Sequence, residues 1–211
     1  MHKKWLFRFL IIDLLLVGAH LLWGDQVYIL NLDNERTIPA YYSGLKLVVI
    51  STLFFLTAQL ITRKKEKITY LLLSAFFIML SFDEISELHE NLGEYFLGIF
   101  NNYSFFQQDS FMWLVFLSPL IISVLGLLSY FLYSIRGQKA FYLALIGLLA
   151  FVSVLGLEFL GGMVIHNKPL IYQWTIVFEE FMEKVGASFF IAAGLYIFQD
   201  KFRHTHKRVE K

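Results

Sequence analysis

Asp83, Glu84, Glu87, His89, Glu90 and Glu94 are crowded into SFDEISELHENLGEYF, directly after the apolar run ITYLLLSAFFIML. A second acidic group, Glu179, Glu180 and Glu183 with Lys184 beside it, lies in EEFMEK near the other end of the chain. Single ionisable residues, Asp13, His20 and Glu158, interrupt other apolar stretches. Carboxylates gathered with an imidazole suit three kinds of chemistry. They hold a divalent metal through oxygen and nitrogen donors, they share protons for acid–base work, or they pass a cation across a membrane. A metal would also acidify a bound water for hydrolysis. For acid–base roles the candidates are Asp83, Glu84, Glu87, Glu179, Glu180 and Glu183. For metal donors they are His20, Asp83, Glu87, His89, Glu158 and Glu183.

Known patterns narrow this only by exclusion. The ferritin-like di-iron pattern requires Glu-x-x-His on two helices, and Ser86 occupies the position three before His89. No His-Glu-x-x-His zinc pattern occurs. EEFMEK resembles the Glu-Glu-x-x-x-Arg box of CAAX-type intramembrane proteases, but it carries Lys184 in place of the arginine. It also lies in the last apolar stretch, with no later helix to supply that family's histidines, so the assignment fails.

The elements that must position these groups follow from composition. The 211 residues are 57% hydrophobic, 18% aromatic and 17% charged. Soluble domains carry about 25% charged residues, and the apolar excess here is arranged in long blocks, as in membrane proteins. Six blocks, 5–23, 43–62, 68–88, 111–135, 140–160 and 174–198, approach the ~20 residues that cross a bilayer as a helix. The expected fold is therefore all-α, a polytopic transmembrane bundle of six spans forming a single domain over residues 1–211, with a basic tail at 199–211. The basic start and apolar run of MHKKWLFRFLIIDLLLVGAHLLWG lack a small-x-small cleavage site, so a retained first helix is expected. With no cysteine, disulfides, thiol catalysis and thiolate metal sites are excluded. A net charge of +1 gives no reason to expect a nucleic-acid partner.

Basic residues set the expected orientation. Lys3, Lys4 and Arg8, then RKKEK at 63–67, then Arg136 and Lys139, then KFRHTHKRVEK all fall at alternate ends of the blocks. The positive-inside rule places both termini in the cytoplasm of a cell-membrane protein. Counting ~1.5 Å per residue from the cytoplasmic ends puts Asp83, Glu183 and His20 ~22 Å up their helices and Glu158 ~27 Å up its own. On an unbroken helix, Asp83, Glu87, Glu90 and Glu94 share a ~60° stripe and His89 points the other way. Glu180 and Lys184 have the favourable spacing for an ion pair. Gly161, Gly162, Gly186 and Gly194 suit close helix approach. Asn102-Tyr103-Ser104 matches a glycosylation sequon, a pattern too loose to carry weight.

These features point to an outward-facing carboxylate/His site within the bilayer. It would belong to a metal-dependent or acid–base membrane enzyme acting on a lipid or an extracytoplasmic substrate, with a divalent metal ion as its cofactor. A proton or divalent-cation transporter is the second expectation. A non-catalytic subunit of a homo-oligomer or larger membrane complex is the third.

Overall fold

A computed structural model of the chain describes residues 2–24, 26–32, 34, 36–100, 109–160 and 169–209; the expectations for Asn102–Ser104 and Gly161–Gly162 fall outside these residues. The elements are α1 (His2–Trp23), a 3-10 turn (Tyr28–Leu30), α2 (Ile38–Leu60), α3 (Lys64–Ser86), α4 (Leu88–Phe100), α5 (Asp109–Phe116), α6 (Ser118–Ser134), α7 (Lys139–Leu160) and α8 (Pro169–Val209). There is no strand among the described residues.

Among the described residues, five helices are long and apolar enough to cross a membrane: Lys4–Trp23, Ile38–Leu60, Lys64–Ser86, Lys139–Leu160 and Gln173–Thr205. The remaining expected span, 111–135, is divided between α5 and α6 at Leu117. Pro119 explains the break. Its missing N–H leaves the Val115 carbonyl without the usual partner four residues on, and the Ser118 hydroxyl donates to that carbonyl instead at 2.7 Å. What continues is Ser118–Ser134, an apolar helix of 17 residues. The block 68–88 also stops early, because Glu87 adopts a left-handed conformation (φ 54°, ψ 34°) and its N–H closes α3 on the Asp83 carbonyl. At the other extreme α8 runs through the basic tail expected to begin at 199. A helix of this length extends about 60 Å, roughly twice the hydrocarbon thickness.

Local chemistry accounts for the other ends. Thr37 caps α2, accepting from the Ala40 N–H while its hydroxyl donates to the Asn34 carbonyl. Pro39 follows where a missing N–H is harmless. The α6–α7 turn needs a left-handed residue at Gly137 (φ 85°), a conformation that glycine adopts without strain.

Packing centres on α2, α3, α7 and α8. Phe54, Tyr70, Phe77, Phe131 and Phe190 form a buried aromatic cluster with ring centroids 5.1–5.8 Å apart. Gly147 and Gly186 let α7 and α8 nearly touch: a Cβ added at Gly186 would lie 3.2 Å from the Gly147 carbonyl oxygen. Small residues at a crossing allow this approach. Gly194 similarly admits Leu53 of α2. Leu14, Leu15, Leu22, Leu45, Ile122 and Leu149 remain exposed on the outside of the bundle, as lipid-facing positions would be.

The connections sort the ends. Short turns join α2 to α3 and α6 to α7, and Lys201 of α8 bonds Glu66 at the start of α3 at 2.6 Å. Arg63–Lys67, Arg136, Lys139 and the end of α8 thus gather at one end of the bundle. Asp83, Glu84, Glu158, Glu179 and Glu183 lie toward the other.

Candidate functional site

The tightest carboxylate grouping among the described residues joins α3 to α8. One oxygen each from Glu84, Glu180 and Glu183 lies within 4.8 Å of the others. Glu180 and Glu183 are three residues apart, so both fall on the side of α8 that faces α3. Lys184, fully buried one residue on, turns back along α8 and donates to Glu180 Oε2 at 2.5 Å. The i,i+4 ion pair expected from the sequence is therefore present, and it holds Glu180 at the edge of the triad.

A second ion pair sits deeper and supports the first. Lys46 of α2 donates to Asp13 Oδ1 of α1 at 2.8 Å and to the backbone carbonyl of Lys184 at 2.6 Å. Ser188 of α8 donates to the other Asp13 oxygen at 2.8 Å. Asp13 and Lys46 are both almost wholly removed from solvent. Three helices thus meet on one charge pair, and Lys46 holds the very turn of α8 that carries Lys184. The Ser81 hydroxyl, donating to the Gly44 carbonyl at 2.8 Å, registers α3 against α2 just below Glu84.

The break at Glu87 redirects the chain. An unbroken helix would turn His89 away from Asp83; the left-handed residue between them brings it back. Asp83 accepts the His89 backbone N–H at 2.9 Å through Oδ1, and its Oδ2 lies 2.9 Å from His89 Nδ1. Asp83 therefore serves the open N-terminus of α4 and orients the imidazole together. The ring meets Trp113 of α5 edge to face at 5.0 Å, and the Trp113 indole N–H donates to Glu158 of α7. Asp83, His89, Trp113 and Glu158 make a polar row from α3 to α7.

Row and triad surround one partly open cavity of about 420 Å³. Asp83, Glu84, Glu158, Glu179, Glu180, Glu183 and His89 line its polar end. Phe76 and Leu80 of α3, Ile121, Val124 and Leu128 of α6, and Leu148, Phe151 and Leu155 of α7 line the remainder. Phe151 rests on Phe77 and Phe190, so the aromatic cluster closes the cavity toward the basic end.

Two members of the expected donor set are placed elsewhere. His20 Nδ1 accepts the Leu32 N–H at 3.1 Å and ties down the α1–α2 connection; it does not line the cavity. Glu87 forms the α3–α4 break and also stands outside the lining, so the stripe expected from Asp83 to Glu94 is not formed. Glu94 is exposed. Conversely, Lys46 and Trp113 were not anticipated. Lys46 had a signal: a lone cation within an apolar helix demands a buried partner. Trp113 had none, since aromatic residues at the edge of an apolar block are ordinary interface residues.

The fold and site define an all-helical protein with several helices able to cross a membrane, built around an acidic cavity near one end. By sequence the chain belongs to a family described as a domain of unknown function (DUF8692), whose sequence model matches residues 9–197. No curated protein and no solved structure matches it.

Proposed function

We propose that this is a multi-pass cell-membrane protein with a divalent-metal-dependent or acid–base site, opening toward the outer leaflet and acting on a lipid or an extracytoplasmic substrate. The observation that carries the proposal is the Glu84–Glu180–Glu183 triad, its donor oxygens within 4.8 Å of one another at the polar end of a cavity. Three carboxylate oxygens fit a hard divalent cation such as magnesium, manganese or calcium. Such an ion, when bound, would polarise substrate oxygen and acidify water. Lys184 would hold Glu180 in place, and the Asp83–His89 pair would orient an imidazole able to carry a proton beside it.

The gathering of basic clusters at one end supports cytoplasmic termini and an outward cavity mouth. A cysteine at exposed Glu94 should then react with an impermeant thiol reagent on intact cells, and one at Lys65 should not; the reverse pattern refutes the orientation.

The metal reading is tested by elemental analysis of protein purified in detergent. Stoichiometric divalent metal in the wild type, absent from Glu183→Ala, is the expected result. A metal content that Glu183→Ala leaves unchanged refutes the triad as its holder.

One observation favours transport as a second reading: Glu180, Lys184, Lys46 and Asp13 form a polar chain leading away from the cavity. The aromatic floor beneath the cavity opposes it. Asp13→Asn and Glu183→Gln decide between the two. Transport requires a proton or cation flux in liposomes that both variants abolish, whereas site chemistry requires the loss to follow Glu183.

A further inference from the structure

The shape and charge of the cavity specify more than a cation site, and the inference here rests on the reading just given. The cavity has two unlike halves. From Glu158 down α7 to Leu148, and from Leu117 along α6 to Leu128, the lining is almost wholly apolar. Ten or eleven helical residues make each of these walls roughly 15 Å long. The cavity volume of about 420 Å³ is that of a small-molecule pocket. The helix α6 touches the bundle through α3, α5 and α7, and the cavity it borders is lined along α6 from Leu117 to Leu128 and along α7 from Leu148 to Glu158. A compact polar solute would leave this half unfilled and exposed to water. A single hydrocarbon chain would fill it and remove both surfaces from water.

The other half is strongly acidic. Six carboxylates line it, from Asp83, Glu84, Glu158, Glu179, Glu180 and Glu183. Against them stand His89, paired with Asp83, and Lys184, paired with Glu180. Glu84, Glu179 and Glu183 have no lysine or arginine ion-pair partner among the described residues. Negative charge in a low-dielectric site favours a positive ligand and repels a negative one. An anionic lipid head would meet carboxyl oxygens, with no lysine or arginine among the lining residues to pair with it.

We propose that the cavity binds a single-chain amphiphile with a protonated amine head. The chain lies between α3, α6 and α7, and the ammonium sits between Glu84 and Glu183, donating a hydrogen bond to each. The bilayer supplies the ligand, and a free divalent cation satisfies only the polar half.

Trp113 on the cavity wall provides a local reporter. The full chain in nanodiscs of zwitterionic lipid would be titrated with a brominated long-chain primary amine. The Trp113 signal is taken as the difference between wild type and Trp113→Phe. Saturable quenching is expected, with a brominated alcohol of equal chain length about tenfold weaker and propylamine unable to compete. Glu183→Gln should weaken the amine and leave the alcohol unchanged. Val124→Phe, which fills the apolar half, should abolish binding of the long-chain amine while thermal unfolding shows the variant folded.

Equal quenching by amine and alcohol would overturn the proposal, since that is partition into bilayer. So would full binding in folded Val124→Phe. Metal bound at the triad with no saturable amine binding refutes this inference and leaves the metal site standing. Saturable amine binding in protein that holds no metal upholds the inference and leaves the acid–base form of that reading.

Discussion

Lys46→Met is the most demanding test of how the site is supported. The substitution keeps an unbranched side chain of similar length and removes the cation. It deletes two charge-assisted hydrogen bonds, at 2.8 Å to Asp13 and 2.6 Å to the Lys184 carbonyl. Asp13, fully buried, keeps the hydrogen bond from the Ser188 hydroxyl but loses its cation. Removing one partner of a buried ion pair costs about 3–5 kcal/mol, because the other charge stays uncompensated. At roughly 2–4 °C per kcal/mol for a chain of this size, the unfolding midpoint should fall by about 6–20 °C. The assay is thermal unfolding in nanodiscs followed by tryptophan fluorescence. The double variant Asp13→Asn/Lys46→Met removes both charges, while the amide carbonyl placed at position 13 still accepts from Ser188. It should recover most of the loss, since replacing a whole buried pair is often close to neutral. A fall below about 2 °C in Lys46→Met would refute the reasoning. So would a double variant no more stable than the single one, because the damage would then lie in packing rather than in an unpaired charge.

Two further substitutions test the backbone that places the site. Gly147→Ala would put a Cβ 2.7 Å from Phe190 Cδ2, whereas Gly126→Ala meets nothing within 4 Å. The first should destabilise by about 1–3 kcal/mol and the second should be neutral or stabilising; equal midpoints for the two would refute the close α7–α8 crossing. Glu87→Gly relieves a left-handed residue worth roughly 1–2 kcal/mol against the ~0.5–1 kcal/mol of added chain entropy, so the midpoint should rise slightly and bound metal should not change. Loss of metal in Glu87→Gly would return Glu87 to the donor set.

The sequence alone determined that the chain is helical and apolar in long blocks, because ~20-residue hydrophobic runs admit few other structures. It also determined that acids from distant segments stand at one level, since rise per residue is constant along a helix. Asp83, Glu158, Glu179 and Glu183 do line one cavity, whereas His20, at the same level, ties down the α1–α2 connection instead. The pairing of Glu180 with Lys184 was legible for the same reason: both lie on one helix, four residues apart. Wherever a helix breaks, extrapolation fails. Pro119 was visible, but whether it would kink a span or end one depended on where Ser118 and Val115 could turn. Glu87 carried no signal of a left-handed residue, and that one φ angle moved His89 from the far side of the helix onto Asp83. Pairing between helices was equally out of reach. Lys46, Asp13 and Ser188 are separated by up to 175 residues, and only the packing of α1, α2 and α8 makes them one network. The cavity itself is a property of how far α6 stands from its neighbours. Its apolar lining reads in sequence as ordinary membrane helix, since a side chain facing an internal cleft and one facing lipid obey the same hydrophobic rule.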